Sequence, residues 1–221
     1  MHDLLQQLDN AARLAGRPPS RLLAVSKSQP ATAVAELAAA GQCAFGENYV
    51  QEAQAKQAAL AGLGLEWHLI GHLQSNKARE AAVLFDWVQT VDRLKLVAAL
   101  SRHRPDDRTP LNVLVQVNID DEASKHGCRP DEAMALATSI AAQPRLALRG
   151  LMAIPAPHPD VGRRRVAFRR MKMLFDDLRH DYPQADTLSM GMSEDADIAI
   201  AEGATMVRVG TALFGARPQN G

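Results

Sequence analysis

In "RLLAVSKSQP" four apolar residues, Leu22 to Val25, lead through Ser26 to Lys27, and Pro30 begins a helix-forming stretch. A lysine at a strand end usually runs its apolar stem outward and lets the ammonium reach water. Where burial or neighbouring cations lower its pKa, the same amine forms a Schiff base with an aldehyde. A second group stands far along the chain: Ser193 in "GMSEDAD", and Arg208, Gly210 and Thr211 in "VRVGTAL". Hydroxyls, a helix start and a glycine that admits an anion to the backbone are what phosphate binding asks of a loop. Each of these residues has a structural alternative. Ser193 ahead of Glu194, Asp195 and Asp197 makes a good N-cap with acids in the dipole-favoured first turn, and those acids must then point away from any phosphate. Asn48 with Gln51 likewise resembles a capping pair.

The elements that must position these residues alternate along the chain. Short runs rich in Val, Leu, Ile and aromatics predict strands at 22–26, 43–46, 67–71, 87–91, 112–118, 149–154, 187–191 and 206–210. Helix-length patterns predict helices at 31–40, 50–61, 76–84, 93–102, 131–142, 163–180 and 195–202, and "MHDLLQQLDNAARL" reads as an extra amphipathic N-terminal helix. Eight such strands separated by helices predict an α/β protein, a (β/α)8 TIM barrel, as one domain over 1–221. The open-sheet alternative lacks its G-x-G-x-x-G after any strand. In a barrel the chemistry sits at the C-terminal strand ends, and phosphate sites often follow strands 7 and 8. Lys27 ends the first strand, Asn48 follows the second, Ser193 the seventh and Gly210-Thr211 the eighth. An amine facing an anion cradle suits a small molecule with both an aldehyde and a phosphate, and pyridoxal 5′-phosphate has both.

Composition narrows the class. Lys+Arg and Asp+Glu are each 25 in 221 residues, so the basic excess of a nucleic-acid binder is missing. Arg163-Arg164-Arg165 reads as a solvated helix face. The N-terminus has no basic n-region and no unbroken apolar h-region, and no stretch approaches the ~18 apolar residues of a membrane span. Cys43 and Cys128 show no C-x-x-C spacing, and the seven histidines make no metal-ligand pattern; no metal is expected. His68 and His72 are four apart but lie on a strand and its exit in "EWHLIGH". A cytoplasmic protein is expected.

Taken together, "LLAVSKSQP", "FGENYVQEA", "EWHLIGHLQSNK", "RGLMAI" and "LSMGMSEDADIAIAEGATMVRVGTALFGAR" resemble the YggS/PROSC family of pyridoxal-phosphate-binding homeostasis proteins. That family is related to the N-terminal barrel of alanine racemase, and the resemblance runs from about residue 10 to Arg217. It implies an alanine-racemase-like barrel of fold type III. It also implies pyridoxal phosphate held covalently as an aldimine of Lys27, with Ser193 and the Met192 backbone at its phosphate after strand 7. Gly210 and Thr211 complete the phosphate cradle, Arg208 stands beside the pyridine nitrogen, and Asn48 lines the cleft. "GHLQSNK" is similar to a family hallmark whose role the resemblance leaves open. His72, Gln74, Ser75, Asn76 and Lys77 line the open face, meet a partner, or start a helix.

The arginine has a chemical consequence. A guanidinium stays protonated and accepts no proton, so against the pyridine nitrogen it leaves the ring a poor electron sink. Racemisation further needs a second base. No second domain is expected after the eighth strand, Tyr182 reads as structural, and Tyr49 stands beside the second strand. The expected function is therefore to hold the cofactor for homeostasis without efficient turnover. The alternative is a weak racemase or other pyridoxal-phosphate enzyme with Lys27 as base. Expected partners are the cofactor and pyridoxal-phosphate-dependent apoenzymes, with no nucleic acid or membrane, and the expected state is a monomer.

Overall fold

Continuous apolar runs bounded by helical segments are buried on both faces where helices cover a parallel sheet, open or closed into a barrel. The computed structural model, which describes residues 1–122 and 125–215, has this architecture; Arg217 lies outside the described residues. Eight parallel strands form a closed barrel in sequence order: β1 (Arg21–Val25), β2 (Ala44–Glu47), β3 (Glu66–Leu69), β4 (Trp87–Val91), β5 (Leu111–Gln116), β6 (Leu146–Met152), β7 (Thr187–Met192) and β8 (Met206–Val209). Between them lie α2 (Ala31–Ala39), α3 (Val50–Ala59), α4 (Ala78–Leu84), α5 (Leu94–His103), α6 (Ala133–Ala141), α7 (Val161–Asp181) and α8 (Ala196–Ala201). The expected N-terminal helix is α1 (His2–Leu14), which buries Leu8 and Ala12 and packs on α8; a short α9 (Thr211–Phe214) follows β8.

Most of the core lies between barrel and helices. On α7, Phe168, Met171, Phe175 and Leu178 recur at helical spacing and form its buried stripe, each contributing roughly 1.5–3 kcal/mol by leaving water. Asp160 starts that helix by accepting a hydrogen bond from the Arg163 N–H at 3.0 Å. The predicted solvated face at Arg163-Arg164-Arg165 holds only for Arg163. Arg164 and Arg165 are half-buried, and Arg165 joins Arg169 in clamping Glu202 at the end of α8, at 2.6 and 2.8 Å.

The barrel interior is not wholly apolar. Two small clusters, Leu23 with Ala44 and Met206, and Trp87 with Leu114 and Met152, stand apart from the main core. A chain of polar side chains also runs through it. The Arg208 Nη1–H donates to Ser189 Oγ at 2.8 Å, and the Ser189 hydroxyl donates to Gln89 Oε1 at 2.7 Å. Gln89 Nε2 in turn lies 2.9 Å from His68 Nδ1. His68 Nε2 then meets Glu66, which also pairs with Arg21 at 2.8 Å. Strands β4 and β7 are not neighbours, so Gln89 and Ser189 meet only across the lumen.

The starts of three elements differ from expectation for local reasons. β6 begins at Leu146 rather than 149, because Arg149 is the extra residue of a bulge where the β5 register shifts between Val113 and Leu114. Its guanidinium leaves the sheet to bind Asp186 and to lie 4.8 Å over the Trp87 ring. Gly150 carries the bulge at φ +139°, where a Cβ would stand 2.0 Å from the Thr187 carbonyl oxygen. Helices α4 and α6 are entered through single 3-10 turns, Ser75–Lys77 and Pro130–Glu132. Among the described residues no helix is long and apolar enough to cross a membrane.

Candidate functional site

Lys27 is half-buried in the turn directly after β1, between buried Ser26 and exposed Ser28. Both flanking residues are fastened by acids from the next βα unit. Ser26 Oγ–H donates to Glu47 Oε1 at 2.5 Å, and the Ser28 N–H donates to Glu52 Oε1 at 2.5 Å. Lys56, on α3, spends its three N–H donors on the Ser26 carbonyl (2.5 Å), Glu47 Oε1 (2.7 Å) and Glu52 Oε1 (2.8 Å). Ser28 itself sits at φ +61°, a left-handed conformation that costs a non-glycine residue about 1–2 kcal/mol. The bond to Glu52 offsets that cost. Burial pushes the Glu47 carboxyl above its ordinary range, against the pull of Lys56 and Ser26.

The closing strand pair brings the other residues to the same edge. β1 and β8 pair with Ala24 beside Val209, so Gly210 follows next to Val25, and a Cβ on Gly210 would stand 3.2 Å from the Val25 carbonyl oxygen. Thr211, exposed, begins α9. β7 and β8 pair with Met192 beside Arg208, and Ser193 opens the exposed turn into α8. Arg208 is buried, and its Nη2–H donates to the Ala153 carbonyl at 2.8 Å. Burial pulls its guanidinium down to about 10, with Asp195 acting against that shift.

The capping alternatives fail. Helix α3 starts two residues after Asn48, with Tyr49 at its cap, and α8 starts at Ala196 with Asp195 at its cap; neither cap side chain bonds the N–H groups of its helix. Not all three acids after Ser193 turn outward. Asp195 is half-buried and folds back, its Oδ1 accepting the Met192 N–H at 2.7 Å.

Asn48, half-buried, lines a cavity of about 300 Å³ with Tyr49, His72 and Gln74. Gly71 makes this close approach feasible, since a Cβ there would stand 2.1 Å from the Asn48 carbonyl oxygen. The remainder of "GHLQSNK" does two of the things expected of it. His72, Gln74 and Lys77 line the cavity, and Ser75–Lys77 form the turn that starts α4. Tyr182 lies outside the site, its hydroxyl donating to Thr138 Oγ1 at 2.8 Å.

Sequence reasoning missed three groups. The Glu47–Lys56–Glu52 brace is invisible as a motif, although Glu52 and Lys56 at i, i+4 hint at an ion pair. The lumen chain under Arg208 is also hidden, because its members come from β3, β4, β7 and β8. The third is a cluster of His72, Asp92 and His126, whose ligand atoms all lie within 4.8 Å of one another although the histidines show no metal spacing along the chain.

An amine, a buried guanidinium and two hydroxyl-bearing turns on adjacent strand ends of a parallel barrel define the alanine-racemase-like class. The family described as "Alanine racemase, N-terminal domain" matches residues 2–218. The chain is 54% identical over 213 residues to the pyridoxal phosphate homeostasis protein of Pseudomonas aeruginosa, covering 96% of this chain and 91% of that one. It is 52% identical over 224 residues to the protein of the same name from Escherichia coli, covering 98% and 96%. Among solved structures, PipY of Synechococcus elongatus with PLP bound superposes with a TM-score of 0.81 at 40% identity, covering 93% of this chain and 99% of that one. Alanine racemase from Corynebacterium glutamicum shares the fold, with a TM-score of 0.68 at 22% identity over 97% of this chain and 63% of that one. The chain belongs to the pyridoxal phosphate homeostasis protein family, within the alanine racemase N-terminal domain class.

Proposed function

We propose that the β1–β8 edge of this barrel holds pyridoxal phosphate covalently through Lys27, without efficient turnover, and keeps its reactive aldehyde from other amines. The observation that carries this reading is strand register. Pairing of β8 with both β1 and β7 gathers Lys27, Gly210-Thr211, Arg208 and the Met192-Ser193 turn onto three adjacent strand ends. The residues suit the group: an amine for an aldehyde, a guanidinium for a ring nitrogen, and hydroxyls with peptide N–H groups for a phosphate. Gly210 leaves open the approach to the backbone that a side chain would fill. The names of the relatives and the PLP-bound PipY structure support pyridoxal phosphate as the ligand.

Bound there, pyridoxal phosphate supplies an electrophilic aldehyde and a dianionic tail. Lys27 provides the amine, and the bonds on Ser26 and Ser28 fix the turn that carries it. Thr211 and Ser193 would donate hydroxyl hydrogens to the anion, and Met192 would add its amide once Asp195 releases it, while Asn48 lines a cavity at the exits of β2 and β3. Arg208, at about 10, stays protonated at neutral pH and only donates. It provides none of the acidic support at the ring nitrogen on which strong carbanion chemistry depends.

A second reading, a weak racemase, is favoured by one observation: Tyr49 lines the same cavity as Asn48. Exchange of amino-acid α-protons in deuterated buffer separates the two. The holding reading predicts exchange by the loaded protein no faster than by free pyridoxal phosphate. Fast exchange that falls in Tyr49→Phe contradicts it. A single barrel over 1–221, working as a cytoplasmic monomer that passes cofactor to apoenzymes, completes the proposal.

A further inference from the structure

The loops after β3, β4 and β5 bring two imidazoles and a carboxylate to one point of the barrel mouth, away from the β7–β8–β1 edge. The His72 and His126 rings stack with centroids 3.7 Å apart and planes 14° from parallel, and Asp92 Oδ2 lies 4.0 Å from His72 Nδ1. Every pair of ligand atoms in this trio is within 4.8 Å. We propose that His72, Asp92 and His126 form a binding site for a divalent first-row transition-metal ion, with Zn2+ as the reference occupant. Two imidazoles and one carboxylate are a ligand set these ions take, and three protein ligands leave a coordination position open to solvent or a small anion. Ligands of a tetrahedral Zn2+ stand about 2.0–2.2 Å from the ion and so about 3.4 Å from one another. Rotation of the two exposed rings closes that gap.

The surroundings are built to hold the trio. Arg93 Nη1–H donates to Asp92 Oδ1 at 2.5 Å, which turns Oδ2 toward His72, and Arg93 Nη2–H donates to the Leu73 carbonyl at 2.8 Å, tying down the loop that carries His72. Thr90 Oγ1–H fixes the same loop through the Gly71 carbonyl at 2.9 Å. His126 is anchored through its backbone. Gln116 Nε2–H donates to its carbonyl at 3.3 Å, and Gly127, at φ +121°, presses so close that a Cβ would stand 2.6 Å from Asn118 N. Such outer contacts orient metal ligands. Cys128 is buried and stands outside the trio.

The site is tested on the full-length, tag-free chain in a Cys43→Ser background, which removes the exposed thiol. Zn2+ is titrated by calorimetry and Co2+ by visible absorption. One equivalent should bind, the Co2+ spectrum should show nitrogen ligation, and His72→Ala, His126→Ala and Asp92→Asn should each weaken affinity at least about tenfold. The melting temperature of the parent should rise with Zn2+ and that of His126→Ala should not. His126→Ala removes a ring from an exposed loop, so its loss of binding is not loss of fold. No saturable equivalent, affinity unchanged in both histidine variants, or loss in only one of the three variants overturns the proposal.

Discussion

Ser26 and Ser28 are each bonded to an acid of the next βα unit, so the turn between them is set before any ligand arrives. Glu47 is the keystone, holding Ser26 Oγ and the Lys56 ammonium with a single oxygen while buried. Removing Glu47 leaves the buried Lys56 ammonium only the half-buried Glu52 as a carboxylate partner and takes the 2.5 Å acceptor from Ser26 Oγ. Glu47→Ala should cost about 3 kcal/mol in denaturant unfolding, with Glu47→Gln restoring part of it through Ser26; a loss below about 1 kcal/mol contradicts the brace. On the phosphate side, Ser193→Ala and Thr211→Ala should each weaken cofactor retention by at most about 1.5–3 kcal/mol, the range of charge-assisted hydrogen bonds. Equilibrium dialysis showing no change in either would place the anion elsewhere. Lys27, Gly210 and Thr211 were legible in the sequence because each ends a short apolar run, and a strand end in a barrel faces the site. Glu47, Asp195 and Asp92 were not. Their partners lie on other elements, and a carboxylate in a sequence reads equally well as solvated, capping or buried.

At the scale of elements, the alternation of apolar runs and helical patterns was enough to count the strands. What it hid were places where a polar residue sits inside a strand. Arg149 interrupts an apolar run and so read as the first residue of its strand, although it is the bulged residue inside β6. His68, Gln89 and Ser189 read as polar interruptions and prove to be links in the lumen. Their donors and acceptors match for one tautomer of a neutral His68. Gln89 donates to Nδ1, and Nε2–H donates to Glu66. Burial holds His68 below its ordinary value, opposed by Glu66. A histidine depressed in the folded state contributes stability above its unfolded pKa of about 6.5, and that stability is lost as pH falls through the folded value. Wild-type melting temperature should therefore drop between pH 7.5 and mild acid more steeply than that of His68→Gln. Equal slopes would contradict a neutral His68.

Over the whole molecule, closure matters more than any single contact. Parallel strands in sequence order make the first strand a neighbour of the last, so residues 27 and 210, remote in the chain, share an edge because β1 pairs with β8. The metal-ligand trio arises instead from the side-by-side pairing of the consecutive strands β3, β4 and β5, which brings their exit loops together although the residues lie far apart in the chain. The central claim is the amine of Lys27, and borohydride reduction of the pyridoxal-phosphate-loaded chain followed by peptide mass spectrometry tests it most directly. One pyridoxyl adduct per chain is expected on the peptide containing Lys27, and none in Lys27→Ala. An adduct on Lys56, Lys77 or Lys125 instead, or full retention of the cofactor by Lys27→Ala, would contradict it.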